Sequence, residues 1–142
     1  MTDPLLFQLP PNLSPNATLF DHGPAEIARQ LTMLDFKLFE KIKPLELVNQ
    51  AWVKPKYSHQ AKNILHYAER MNTLTRWAAT SILAQKGKSD RAQLISDFIH
   101  VADELYKLNN FSSFIAVINA LEGSAISRLQ SSWNKVISEI IS

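Results

Sequence analysis

The chain has 142 residues, 46% of them hydrophobic and 20% charged, with a formal net charge of only +2. This length suits one domain with a buried core, and the balance of charges argues against a nucleic-acid binder. The sequence contains no cysteine, which excludes disulfide scaffolds, thiol catalysis and cysteine-ligated metals. No uncharged run approaches the ~20 apolar residues of a transmembrane helix and the first residues lack a secretion signal, so we expect a cytoplasmic protein without a transmembrane segment.

Residues 1–17 form the first distinct stretch of the chain. They include Pro4, Pro10, Pro11 and Pro15 and show no sustained hydrophobic periodicity. Each proline fixes its own φ and disfavours helical geometry in the residue before it. We predict an extended, proline-rich arm over 1–17 and a helical domain over 18–142.

From Gly23 the pattern becomes helical. Pro24 suits a first helical turn, where a missing N–H group costs nothing. An apolar stripe then follows at helical spacing, formed by Ile27, Leu31, Leu34 and Leu38. Pro44 ends this helix, and Pro44 and Pro55 bound a short second helix that we predict over 45–52.

A long third helix is predicted over 58–86, with Ser58 as its N-cap and Gly87 after its end. Its apolar stripe is Ile64, Ala68, Met71, Thr75, Ala78 and Ile82, widened by Leu65, Leu74 and Trp77. Beyond Gly87, apolar periodicity predicts a helix from about Ser89 to Leu108 and another after Asn110, which is a good N-cap. Ser124 is the expected cap of a brief helix through Leu129, and 133–141 is predicted as a final helix.

No segment alternates with period two for long enough to predict a strand, so the expected fold class is all-α. The sequence contains no glycine-rich phosphate loop and no zinc, calcium or serine-hydrolase motif. Its four histidines give no more than a weak metal signal. We therefore expect no catalytic residues, no cofactor, no metal site and no covalent chemistry.

Three ordered stretches resemble the Ras guanine-nucleotide exchange factor (RasGEF, Cdc25-homology) domain. The first is 24–35 (PAEIARQLTMLD) with 44–52 (PLELVNQAW). The second is 63–65 (NIL) with 72–77 (NTLTRW) on the long helix, and the third is 108–121 (LNNFSSFIAVINAL) with 124–129 (SAISRL). The resemblance implies an all-helical domain that binds a Ras-family small GTPase and promotes GDP release in small-GTPase signalling. It also implies a cytoplasmic protein that is recruited to membranes through its GTPase partner.

The resemblance further implies a surface that binds the switch II segment of the GTPase. Carried over position by position, this surface comprises Leu65, Ala68, Glu69, Asn72, Ile115, Asn119, Glu122 and Ser127. Helical spacing is compatible with a shared face on each helix. For Ala68 and Ile115, plain core packing is the alternative to an apolar pocket for a GTPase side chain. For the polar residues the alternative is a solvated helix edge.

In the family, a protruding helical hairpin opens switch I, and this hairpin lies later in the domain. At Ser142 the family domain would be about half complete, so we expect the first half of a RasGEF domain, with exposed apolar surface at Val136, Ile137, Ile140 and Ile141. The expected consequences are self-association and no acceleration of GDP release by the 142-residue chain alone. Two alternatives to an exchange factor stay open: an inactive GTPase-binding or scaffold module, and a general helical interaction domain.

Overall fold

The computed structural model describes residues 19–142, and the proline-rich arm predicted over 1–17 lies outside the described residues. Over 19–142 the chain consists of helices without a strand, which confirms the all-α prediction. Six α-helices are present in this range: α1 (Pro24–Phe39), α2 (Lys62–Leu83), α3 (Lys88–Lys107), α4 (Phe111–Glu122), α5 (Ser124–Ser127) and α6 (Gln130–Ile141). Three 3-10 helices span Leu19–His22, Pro44–Gln50 and Pro55–Gln60.

Helix α1 begins as predicted at Pro24, but it ends at Phe39, before the predicted end at Pro44. Gly23 precedes it with a φ of 80°, and Pro24 occupies its first turn. Of the predicted stripe, Ile27 and Leu38 are buried, while Leu31 and Leu34 are half-buried. The same face also buries a carboxylate, Asp35.

The predicted second helix over 45–52 is wrong in type and extent. The segment forms the 3-10 helix Pro44–Gln50, and its backbone leaves helical geometry at Val48 and at Asn49, which has a φ of 58°. The left-handed φ of Asn49 interrupts a right-handed helix, so the segment does not continue as an α-helix to residue 52. The segment instead buries Glu46 and leaves Leu45 exposed.

The third helix is shorter than predicted. The 3-10 helix Pro55–Gln60 occupies its expected start, α2 begins at Lys62, and α2 ends at Leu83 rather than at 86. Ser58 does not cap α2, since its hydroxyl donates to the Pro55 carbonyl oxygen at 2.9 Å. A residue that is distant in sequence accepts from the first N–H groups of α2 instead, as described below.

The buried line of α2 also differs from the predicted stripe. Its buried residues are Arg70, Leu74, Ala78 and Ile82. Of the predicted apolar face, Leu74, Ala78 and Ile82 are buried, whereas Leu65 and Ala68 are exposed. Apolar periodicity cannot identify a buried arginine such as Arg70. The prediction therefore placed the first half of the buried face of α2 wrongly.

Helix α3 lies at the centre of the core and packs against α1, α4 and α6. Phe98 of α3 is fully buried, and the rings of Phe20 and Trp77 contact it edge-on with centroids 5.2 and 5.3 Å away. Such edge-to-face pairs are a favoured aromatic geometry. They attach the 3-10 helix Leu19–His22 and α2 to α3.

Helix α4 begins as predicted, whereas α5 ends at Ser127 rather than at Leu129 and α6 begins at Gln130 rather than at 133. The Asn110 side chain caps α4 by accepting from the Ser113 N–H group at 3.2 Å. Ser124 does not cap α5, because the N-cap position is occupied by Gly123, which has no side chain to accept a hydrogen bond. On α6, Val136 is buried, whereas the other three residues of the predicted apolar end are exposed: Ile137, Ile140 and Ile141.

Candidate functional site

Helix α2 turns one face toward the core and the opposite face toward solvent. The predicted GTPase-binding residues of this helix are all exposed: Leu65, Ala68, Glu69 and Asn72. Spacings of three and four residues place them on one side of the helix, opposite the buried Arg70 and Leu74. The structure therefore brings these four side chains to one accessible strip.

Helices α4 and α5 present the other predicted residues. Ile115, Asn119 and Glu122 lie on the exposed face of α4, opposite the buried Ala116 and Ala120, and Ser127 at the end of α5 is exposed as well. The side chain of Ile115 is 54% exposed, which excludes the core-packing alternative for this residue. Ala68 is exposed on α2, so the same alternative fails there.

A close contact between α2 and α4 joins the two exposed faces. The Thr75 hydroxyl of α2 donates to the Ala116 carbonyl oxygen of α4 at 3.0 Å, and the Ser113 hydroxyl donates to the sulfur of Met71 at 3.9 Å. The two contacts advance in the same direction along both helices, so α2 and α4 lie side by side. Asn72, one turn before Thr75, and Asn119, one turn after Ala116, flank this seam.

This combined surface carries both apolar and polar exposed side chains. Leu65 is 37% exposed and Ile115 is 54% exposed, with Ala68 one turn after Leu65. The other five positions carry amide, carboxylate or hydroxyl groups. Protein–protein interfaces usually combine apolar residues with polar ones in this way. We refer to the eight predicted residues together as the α2–α4 surface.

An ion pair extends the polar edge of this surface along α2. The Arg76 guanidinium donates to the Glu69 carboxylate at 2.6 Å and to the Thr73 hydroxyl at 3.2 Å. The Arg76 hydrogen bond lowers the pKa of Glu69; slight burial opposes this effect, while Asn72 and Thr73 reinforce it. Sequence reasoning missed Arg76, although its spacing of seven from Glu69 predicts the same helix face.

A buried carboxylate holds the helices beneath the surface. Asp35 on α1 accepts from the Arg70 guanidinium at 3.2 Å, from the Asn110 amide at 2.9 Å and from the Ser113 hydroxyl. Asp35, Arg70 and Ser113 are each at least 97% buried. One side chain of α1 therefore ties α2 to the first turn of α4. The sequence signal was an acidic residue beside the buried Leu38 on the core face of α1.

A second buried carboxylate fixes the beginning of α2. Glu46 accepts from the N–H groups of Asn63 and Ile64 at 2.7 and 3.2 Å, and from the Asn63 amide at 3.0 Å. Its other backbone partner is the Lys43 N–H group at 2.8 Å. These bonds satisfy N–H groups that the first turn of α2 leaves without partners. They set the position of the turn that carries Leu65.

Within residues 19–142, no group of three or more histidine or acidic residues is arranged to hold a metal ion. In the same range no helix is both long enough and apolar enough to cross a bilayer. The α2–α4 surface presents apolar, amide and carboxylate side chains on helices that the buried carboxylates Asp35 and Glu46 hold in position. Chemically, this arrangement suits recognition of another protein.

A family model described as the RasGEF domain matches residues 26–141, a range that runs from α1 to α6. The chain belongs to the RasGEF domain family. The resemblance recognised in the sequence is thereby confirmed. All eight residues of the α2–α4 surface fall within the matched RasGEF range.

Three relatives from Dictyostelium discoideum illustrate the similarity. Ras guanine nucleotide exchange factor I is 41% identical over 125 residues, covering 87% of this chain and 15% of the relative. Factor A is 40% identical over 123 residues, covering 86% of this chain and 20% of the relative. Factor K is 45% identical over 113 residues, covering 79% of this chain and 7% of the relative. The chain thus spans a fifth or less of the length of these three RasGEF relatives.

Proposed function

We propose that this chain is a guanine-nucleotide exchange factor domain that binds a Ras-family small GTPase and promotes GDP release in small-GTPase signalling. The observation that carries the proposal is the exposure of all eight family-derived positions on adjoining faces of α2, α4 and α5. These positions were selected from the family resemblance alone, so their shared exposure in the structure is an independent observation. The names of the relatives, which are Ras guanine nucleotide exchange factors, support the same reading.

The proposed mechanism is linkage and involves no covalent chemistry. If the α2–α4 surface binds the nucleotide-free GTPase more tightly than the GDP-bound form, GDP affinity falls by the same factor. The apolar residues Leu65, Ala68 and Ile115 would contact an apolar side chain of switch II. Asn72, Asn119 and Glu122 would supply hydrogen bonds at the rim, and Glu69 and Ser127 would complete the contact.

A second candidate function is a GTPase-binding or scaffold module without exchange activity. The described surface supports this candidate because it accounts for binding, whereas exchange also requires contacts that favour the open state of the GTPase. We further propose a cytoplasmic protein, recruited to membranes through its partner, with a proline-rich arm over 1–17 before the domain. We also propose that the chain self-associates through the exposed isoleucines of α6, and gel filtration tests this proposal.

The two candidates are separated by measuring binding and exchange on the same samples. The chain is titrated into Ras-, Rap- and Ral-type GTPases, nucleotide-free for binding and loaded with fluorescent GDP for release. Ile115→Asp should abolish binding because it places a carboxylate where the proposed contact with the GTPase is apolar. Ile137→Asp is a matched control, since Ile137 is 50% exposed but lies on α6.

Binding together with faster GDP release supports the exchange factor, and binding alone supports the scaffold module. If the wild-type chain binds no GTPase of the panel, both candidates are wrong for these partners. If Ile137→Asp weakens binding as strongly as Ile115→Asp, the α2–α4 surface is not the binding site.

A further inference from the structure

A second exposed apolar feature adjoins the α2–α4 surface on the side away from α2. It consists of Tyr106 at the end of α3, Leu108 in the turn, and Phe111 and Phe114 on α4. The Tyr106 ring contacts those of Phe111 and Phe114, with centroids 5.7 and 5.6 Å away. Tyr106 is 57% exposed and Phe111 is 49% exposed, while Phe114 packs against the core. We call these four residues the aromatic shelf.

The aromatic shelf is continuous with the predicted surface through α4. Phe111 lies one helical turn before Ile115 on the same exposed face, about 6 Å along the axis. Helix α4 packs between α2 and α3, so the exposed strip crosses from Ala68 through Ile115 to Phe111 and Tyr106. A protein that covers Ile115 therefore meets the shelf at the next turn.

The shelf is also held in place before any partner arrives. The turn beneath it passes through Asn109, whose φ is 57°, and Asn110, which donates to Asp35 and Thr32 at 2.9 and 3.1 Å. The Phe114 ring anchors the aromatic cluster to the core. Fixed aromatic side chains lose little conformational entropy on binding, and for this reason they often dominate interface energies.

A stable protein–protein interface engages roughly 20–30 residues on each side, so a partner that covers Ile115 also covers exposed residues beside it. The aromatic shelf is an exposed apolar feature one helical turn from Ile115. We propose that the aromatic shelf extends the GTPase-binding surface and receives an apolar side chain of the same Ras-family GTPase. This inference rests on the proposed function, and it assigns binding roles to Tyr106, Leu108 and Phe111.

The experiment measures the affinity of the full chain for a nucleotide-free Ras-family GTPase by titration calorimetry. Tyr106→Ser and Phe111→Ser are each expected to raise the Kd about tenfold or more. Phe36→Ser is the matched control, because Phe36 is 60% exposed but lies on α1. Thermal melts identify any variant that fails to fold, and Leu108→Ser then replaces it as the probe.

The outcomes separate this inference from the proposed function. Loss of affinity in the shelf variants, with Phe36→Ser unchanged, supports the aromatic shelf. If Ile115→Asp abolishes binding while folded shelf variants bind like the wild type, the shelf is refuted and the proposed function stands. If Phe36→Ser weakens binding as much as the shelf variants, the loss is not specific to the shelf and the inference is overturned. Absence of binding by the wild-type chain overturns both.

Discussion

Replacing Glu46 by glutamine tests how α2 is held at its beginning. Each carboxylate oxygen of Glu46 accepts two hydrogen bonds, from Asn63 and Ile64 at one oxygen and from Lys43 and Asn63 at the other. Glutamine keeps one oxygen and turns an N–H₂ donor toward the remaining donors, so two of these four bonds are lost. Hydrogen bonds to charged groups contribute about 1.5–3 kcal/mol each, and relief of the buried charge offsets part of the loss. We expect a net cost of about 3 kcal/mol.

The same carboxylate gives stability a defined pH dependence. Burial raises the pKa of Glu46, but the hydrogen bonds from Lys43, Asn63 and Ile64 outweigh burial, and the pKa lies below its ordinary value of 4.5. The stabilisation is therefore complete above the unfolded-state pKa and is lost as the pH falls through the lower folded-state pKa. Glu46→Gln, which cannot titrate, should lack this component of acid destabilisation.

The assay is urea unfolding followed by far-UV circular dichroism, at neutral pH and at a series of acid pH values. Glu139→Gln is the control, because Glu139 is an exposed residue of α6. The reasoning is refuted if Glu46→Gln is as stable as Glu139→Gln at neutral pH. It is equally refuted if stability of Glu46→Gln falls with acidity as steeply as that of the wild type.

Three further predictions concern other contacts. Asp35→Leu leaves the buried Arg70 guanidinium without its carboxylate, and urea unfolding should show a loss of about 3–5 kcal/mol; a loss no larger than that of a surface substitution contradicts this. Arg76→Ala should leave the melting temperature unchanged, because both partners are more than half exposed, but should raise the pKa of Glu69 toward its ordinary value in an NMR titration. Gln50→Gly should raise stability by up to about 1 kcal/mol, since Gln50 has a φ of 54°; chemical denaturation that shows a loss would indicate that the Gln50 side chain contributes more than its backbone strain costs.

Much of the fold could be predicted from local sequence signals. Pro24 marked the start of α1, apolar periodicity marked α1, α3 and α4, and Asn110 marked the α4 cap, because each signal acts within a few residues. The beginning of α2 was placed wrongly at Ser58. Its actual cap is a carboxylate 17 residues earlier in the sequence, which no local pattern identifies.

The sequence likewise predicted one part of the candidate site and missed another. Family resemblance identified positions such as Leu65 and Ile115, and the structure places them on accessible adjoining faces. The resemblance assigned no binding role to Tyr106 or Phe111, and the sequence could not show their exposure, which depends on how α3 and α4 meet. Likewise the Asp35–Arg70 pair joins residues 35 positions apart, and only the packed helices show that both are buried.

The Asp35 network also constrains the order in which the protein assembles. Its contacts join residues 35, 75 and 78 positions apart in the sequence. Because Asn110 and Ser113 follow α1 and α2 in the chain, the Asp35 network can be complete only after the start of α4 has been synthesised. Loop closure over such separations costs entropy that is recovered only when all partners are present. Helices α2 and α4, which carry most of the α2–α4 surface, therefore depend on the same buried carboxylate of α1 for their final arrangement.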